Sequence, residues 1–349
     1  MKEKIIRIVA AVCVLLTCIP FSSCSRFKEK FSKHSFDYFD TVTTVTGYAE
    51  SRDEFDKVAK DVLAQLDEYH RLYNIYHRFD GLENLCTINE LVDGEHRTVT
   101  VDERIIDMLS YAKEMYELTD GRINIAMGSV LSIWHEYRQS GIDDPDGAQL
   151  PPMDKLTDAA EHTDIDCLVI DKEKSTVTIT DPQMKLDVGA IAKGYATEMV
   201  ARALEERGLS GYILNVGGNV RTIGGKADGE GWTVGVEDPS GKEDYIAYLS
   251  LEGESLVTSG SYQRYYLVDG ERYHHIIHPD TLMPAEGYLS VSVLTLDSAL
   301  GDALSTALFC MSLEDGMELV GSISDVEAQW VTSDGTIHTT NGWSEFKSK

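Results

Sequence analysis

Four short segments put ligand-binding or reactive side chains where ordinary core or surface patterning would not. In Leu186-Asp187-Val188-Gly189-Ala190-Ile191-Ala192-Lys193-Gly194-Tyr195 a carboxylate is followed by glycine, a helix start and a lysine. Backbone N–H groups at a helix N-terminus, with an ammonium nearby, are how proteins hold a diphosphate. A plain strand–turn–helix joint capped by Asp187 would look the same. In Asn215-Val216-Gly217-Gly218-Asn219-Val220 the paired glycines permit either a tight turn or close approach to a flat ligand. Thr258-Ser259-Gly260-Ser261-Tyr262 precedes His274-His275-Ile276-Ile277-His278-Pro279. Alternation along a strand puts His274, Ile276 and His278 on one face and His275 and Ile277 on the other. With no carboxylate or cysteine at a supporting spacing, one histidine acting as acid, base or phosphate contact suits the segment better than zinc. In Asp302-Ala303-Leu304-Ser305-Thr306-Ala307, Asp302 and Thr306 share a helix face and offer a carboxylate and a hydroxyl to one hard cation. Thr306 could instead bond its own i−4 carbonyl, and Asp302 could be a helix cap.

The elements that must position these segments can be read from periodicity. Phe36–Tyr48, rich in Thr, Val, Tyr and Phe, reads as a first strand. Residues 52–77 carry Phe55, Val58, Val62, Leu66, Tyr69 and Tyr73 at helical spacing, and a second helix follows the cap Asp102 to about Leu118. Gly141–Pro152 reads as a loop. Cys167–Ile170 and Thr176–Thr180 read as strands, and 191–207 as a helix closed by Gly208. Further strands are expected at Val234–Glu237, Ala247–Leu251, Arg264–Val268, His275–Ile277 and Leu289–Thr295. Helices at Ala299–Met311 and 314–322 and two closing strands complete the chain. There is no steady βαβ alternation and no GxGxxG after a strand. An α+β fold with a largely antiparallel sheet, in one globular domain, is therefore expected.

The 349 residues are 42% hydrophobic and carry a net charge of −28, so a sizeable core is affordable and nucleic-acid binding is a poor match. Six cysteines show no CxxC pair, which argues against a disulfide scaffold or structural zinc. Cys86, Cys167 and Cys310 are far apart and read as small buried hydrophobes. The start of the chain differs. Lys2, Lys4 and Arg7 precede an apolar run from Ile8 to Phe21, then Ser22-Ser23-Cys24. The run is shorter than the roughly 20 apolar residues of a spanning helix, so it reads as an export signal. Its end resembles a bacterial lipobox, with Cys24 as the lipidated residue and Phe21 where that motif prefers Leu. Residues 1–24 are thus expected to be a lipoprotein signal, 25–35 a polar tether, and 36–349 the domain.

Taken together and in this order, LDVGAIAKGY, NVGGN, TSGSY, the His275-Ile276-Ile277 stretch and DALST resemble the ApbE family, the FAD:protein FMN transferases. Phe39-Asp40-Thr41, Tyr76 and Gly121-Arg122-Ile123-Asn124 leading to Gly128 and Trp134 add to the match, which spans about residues 36 to 345. The resemblance implies a T-fold-like, ApbE-type domain that binds FAD and a divalent cation, usually magnesium. Such a protein moves the FMN half of FAD onto a threonine hydroxyl of a target flavoprotein and releases AMP. It implies flavin contacts at Phe39, Tyr76, Arg122, Ile123, Asn124, Asp187, Lys193, Ile276 and Ile277. It implies a metal site at Asp302, Thr306 and the Ala190 carbonyl. His275 matches the family's histidine near the reaction centre and, with Asp302, makes the implied catalytic pair.

Some positions depart from the family pattern. Phe39 stands where Met is commoner, Ile123-Asn124 where an aromatic residue and Asp are usual, and Ala126 and Ser129 replace Thr and Pro. By the same resemblance the acceptor is a subunit of an Rnf- or Nqr-type complex or an exported FMN-binding domain, and the protein is lipid-anchored on the extracytoplasmic side of a bacterial membrane. Two other functions share the site: an FAD-carrying lipoprotein, and a magnesium-dependent FAD pyrophosphatase that uses water as acceptor.

Overall fold

The strands of the main sheet lie side by side in the order in which the chain makes them. The computed structural model describes residues 28–90 and 97–348. Among these, β1 (Glu29–Tyr38), β2 (Thr41–Ala49), β3 (Tyr212–Val216), β4 (Asn219–Ile223), β5 (Ser255–Gly260), β6 (Tyr288–Thr295), β7 (Val326–Thr332) and β8 (Ile337–Thr339) form one sheet. Every neighbouring pair is antiparallel, as expected for this α+β chain. The other elements are inserted between consecutive strands, except a closing 3-10 helix, Asn341–Phe346, that follows β8. Four longer helices, α1 (Arg52–Tyr73), α2 (Glu103–Leu118), α3 (Gly128–Asp143) and α4 (Ala192–Glu206), separate β2 from β3. Helices α5 (Ser298–Phe309) and α6 (Leu313–Ser322) separate β6 from β7.

Local chemistry sets these limits. Ser51 caps α1 by accepting from the Glu54 N–H, with Asp53 and Glu54 in the first turn and His70 and Arg71 in the last, as the helix dipole favours. Helix α1 stops at Tyr73 rather than running to 77, because the Asn74 side-chain oxygen takes the N–H groups of Tyr76 and His77 at 2.9 and 2.7 Å. The Asp102 cap of α2 is present. Helix α3 carried no N-cap signal in the sequence, since Met127 makes no side-chain cap bond. It runs through the start of the stretch expected to be a loop and ends at Asp143.

The expected first strand is in fact a hairpin. Phe39 and Asp40 take positive φ, 53° and 50°, and reverse the chain between Tyr38 and Thr41. This reversal matches the twist of the flanking strands. The segment 25–35, expected as a polar tether, overlaps β1. Ser32 bonds Thr46 at 2.8 Å and Phe31 packs on Phe55, so the domain begins at Glu29 and not at residue 36. The expected signal and Cys24 lie outside the described residues. Among the described residues no helix is long and apolar enough to cross a membrane.

Alternation sorts the sheet's two faces. Tyr212, Leu214 and Val216 of β3 join Val45, Phe55, Leu66, Leu109, Val200 and Ala303 in the main core under α1, α4 and α5. Val220, Leu256 and Leu294 point the other way, onto a hairpin (Trp232–Glu237 and Tyr245–Leu251) and Trp343. Each of these large side chains contributes about 1.5–3 kcal/mol on burial. Cys86 and Cys310 are buried as expected, and Cys167 packs half-buried against the main core. A smaller cluster of Met127, Val130, Trp134, Tyr266 and Ile277 fastens α3 to the hairpin Tyr265–Val268 and Glu271–His274.

Candidate active site

Helices α4 and α5 cross at Gly194, and the crossing builds the centre of the site. A Cβ at Gly194 would stand 2.3 Å from both the Asp302 Cβ and the Ser298 carbonyl oxygen, so only glycine allows the approach. The first turn of α4 has no side-chain cap of its own, and Asp302 supplies one from the neighbouring helix. Its Oδ2 accepts the Gly194 N–H at 2.7 Å, which places a carboxylate on the positive end of α4. The cap of α5 itself is Asp297, which takes the Ala299 and Leu300 N–H groups. Lys193 Nζ is 3.8 Å from Asp302 Oδ1. Burial pushes the Asp302 carboxyl up, and Lys193, the Gly194 N–H and Asn219 hold it down. One turn further, Thr306 Oγ1 is 3.1 Å from Ser259 Oγ, while the Ser305 hydroxyl donates to the Asp302 carbonyl.

These groups open into a cleft of about 340 Å³. Asp187 lies on its wall, its backbone N–H tied to the Ile125 carbonyl at 2.8 Å and its Oδ1 accepting the Gly189 N–H at 2.8 Å. Both bonds fix the turn that leads into α4. Burial pushes its carboxyl up. Ala190, Lys193, Arg122, Ile123, Asn124, Ile276 and Ile277 line the same cleft. Asn124 spends both ends of its amide on the protein, donating to the Thr163 carbonyl and accepting from the Ala126 N–H, each at 2.9 Å. Arg122 is paired with Asp280. Phe39 does not reach the cleft. The reversal at residues 39–40 turns its ring onto His70, centroids 5.4 Å apart, and leaves Asp40 on the wall instead.

The three histidines do not converge. His274 is buried, its Nε2 bonded to the Ala285 carbonyl and its Nδ1 to the Ile276 N–H, and His278 takes the Asp280 N–H. The strand ends at His274, and Ile277 meets only Pro284 in an isolated bridge, so the expected strand His275–Ile277 is absent. Among the described residues no group of three or more His, Cys, Asp or Glu side chains could hold a metal ion. His275 faces the cleft, with Nδ1 3.3 Å from the Arg264 carbonyl. A carbonyl only accepts, so Nδ1 carries the proton and Nε2 keeps a lone pair. Burial, with Arg264 and Arg138 nearby, pushes the imidazole down to about 3, so it is neutral.

Tyr76, an expected flavin contact, is on the cleft wall, whereas sequence reasoning missed the groups beside it, His135, Arg138 and Arg264. Tyr76, half-exposed, stacks on His135 with centroids 5.2 Å apart and planes 32° apart, and Arg138 holds His135 at 3.1 Å. Arg138 and Arg264 both line the cleft, and neither is ion-paired with a carboxylate among the described residues. In a chain of charge −28 two such arginines mark an anion site. The one signal was their lack of an acidic neighbour at helical or cross-strand spacing. The wall can thus take a flat aromatic group on Tyr76 and a polyanion between Lys193, Arg138 and Arg264, with a neutral base alongside.

Fold and cleft therefore define an α+β protein whose cleft suits an aromatic, anionic ligand beside a carboxylate and a histidine. The ApbE family profile matches residues 39–330. The FAD:protein FMN transferase of Klebsiella pneumoniae (strain 342) is 32% identical over 277 residues, 76% of this chain and 83% of that protein. The one from Treponema pallidum (strain Nichols) is 32% identical over 259 residues, 70% of each. The crystal structure of the ApbE protein of Thermotoga maritima superposes with a TM-score of 0.79 at 27% identity, covering 92% of this chain and 100% of that one. The flavin transferase ApbE of Vibrio cholerae, 22% identical, shares the fold with a TM-score of 0.75, covering 91% and 99%. The chain belongs to the ApbE family.

Proposed function

We propose that this protein transfers the FMN moiety of FAD to a threonine hydroxyl of a target flavoprotein, with magnesium, and releases AMP. The observation that carries the reading is the joining of Asp302, Lys193 and His275 in one cleft that also presents Tyr76. Tyr76, backed by His135, offers its other face to the isoalloxazine ring. Lys193, Arg138 and Arg264 bind and orient the diphosphate. The residues present fit a hard cation: Asp302 and Thr306 offer oxygens, and Ala190 offers a carbonyl on the same wall. A divalent cation held there would neutralise charge on the diphosphate and the departing AMP.

The threonine Oγ–P bond forms as the P–O bond to AMP breaks. The neutral His275 takes the threonine proton on Nε2. Walls of Ile123, Ile276 and Ile277 exclude water, which is the competing acceptor.

The acceptor is a subunit of an Rnf- or Nqr-type complex or an exported FMN-binding domain. The protein is tethered by lipid on Cys24 to a bacterial membrane, facing away from the cytoplasm. The sequence of residues 1–24 supports this placement, and with β1 starting at Glu29 the tether is short. Incubation with FAD and magnesium, with and without a threonine-bearing acceptor, tests the activity. FMN on the acceptor supports transfer, free FMN and AMP alone support hydrolysis, and unchanged FAD supports carriage.

A further inference from the structure

We infer that the side-chain oxygen of Asn219 is a further ligand of the divalent cation, an inference that rests on the cation reading above. Asn219 is 1% exposed, and its Oδ1 is buried without a hydrogen-bond partner among the described residues. Buried polar atoms in native proteins are paired, so such an atom on the wall of a binding cleft needs a ligand-side explanation. The orientation of the amide follows from its neighbour. The Asn219 side chain hydrogen-bonds the Asp302 carboxylate. A carboxylate can only accept, so the N–H side of the amide serves Asp302 and Oδ1 is left over.

What Oδ1 needs is also constrained. It is an acceptor, so phosphate oxygens cannot satisfy it; a donor or a cation can. The ammonium in this part of the cleft, Lys193, is drawn toward Asp302 Oδ1. An amide carbonyl is the hard oxygen type that magnesium and manganese take, beside carboxylate and hydroxyl. The backbone places it deliberately. Gly217 and Gly218 take φ of +58° and +92°, and Val216 pairs with Asn219 across the reversal. A Cβ on Gly217 would meet the Thr41 side chain at 2.4 Å, so the turn sits tight against β2 and fixes where β4 begins. Asn219 would thus join Asp302, Thr306 and the Ala190 carbonyl, leaving places in a shell of about six for phosphate oxygens or water.

The test uses manganese as probe. Manganese chloride is titrated into the full-length protein with FAD present, and free ion is followed by electron paramagnetic resonance. Asn219→Ala should weaken manganese about ten-fold or more, with the metal-free melting temperature within a few degrees of wild type. Protein labelled with asparagine carrying 13C at the side-chain carbonyl should show a manganese–carbon coupling in its ENDOR spectrum. That measurement needs only wild type, so a poorly folding variant cannot mask the answer. Unchanged manganese affinity in Asn219→Ala, or no coupling in wild type, overturns the inference, and loss of binding in Asp302→Ala alone would then leave the cation reading standing. No manganese binding by wild type overturns both.

Discussion

The backbone N–H of Gly194 lies 2.7 Å from Oδ2 of Asp302, 108 residues further along the chain. One contact therefore does two things. It completes the N-terminus of α4, and it holds the carboxylate that faces the cleft. The site is built into the helix crossing rather than placed on a loop, which favours a fixed geometry for a reaction that depends mainly on positioning.

Gly194→Ala should destabilise the protein and cut transfer together. The new Cβ would meet the Ser298 carbonyl oxygen, which is backbone and cannot rotate away. Overpacking of this kind costs about 1–3 kcal/mol. Calorimetry should show a melting temperature several degrees lower. Gly321→Ala is the control: nothing lies within 4 Å of its added Cβ, so stability should hold or rise slightly.

Asp302→Asn should leave a folded protein that binds FAD but transfers FMN at least about a hundred-fold more slowly. The Asn oxygen can still accept the Gly194 N–H. Because burial raises the Asp302 carboxyl in the folded state, its ionisation costs stability above the pH where the unfolded chain ionises. The metal-free variant should therefore melt at or above the wild-type temperature at neutral pH. Near-normal transfer with excess magnesium would reduce Asp302 to a cap.

His275 predicts an acid signature. Its folded pKa, about 3, is below its ordinary value of 6.5, so the unfolded chain holds the proton more tightly. The resulting stability is whole above about 6.5 and falls as pH drops from there toward 3. His275→Gln should lose less stability over that window in pH-dependent melting. It should also lose transfer while keeping FAD affinity. In wild type, kcat/KM, which reports the free enzyme, should show no acid limb near 6.5.

Arg138→Gln should weaken FAD binding about ten-fold, or 1.4 kcal/mol, by removing a cation that has no carboxylate partner among the described residues. Fluorescence titration at two salt concentrations checks it. The variant's affinity should depend less on salt than that of wild type. Equal affinities would confine Arg138 to orienting His135.

Much of this is legible in the sequence. Asp102, Gly208, α5 and the antiparallel sheet follow from capping, turn and periodicity rules, because those effects act over a few residues. Asp187, Lys193, His275 and Asp302 were found as members of local motifs, and the cleft gathers them. What stayed hidden depends on contacts distant in sequence. Nothing near Asp302 says that it caps α4, and nothing near Asn219 says that its carbonyl is unpaired. Phe39 was misplaced because two positive φ angles in non-glycine residues turn it away. Helix α3, without a cap signal, took His135 and Arg138 out of view.

The most direct measurement is mass spectrometry of a threonine-bearing acceptor flavoprotein incubated with this protein, FAD and magnesium. FMN should be found attached to a threonine of the acceptor, AMP should appear in equal amount, and both should vanish with Asp302→Asn. An unmodified acceptor with FAD converted to free FMN and AMP, or with FAD untouched, would contradict flavin transfer.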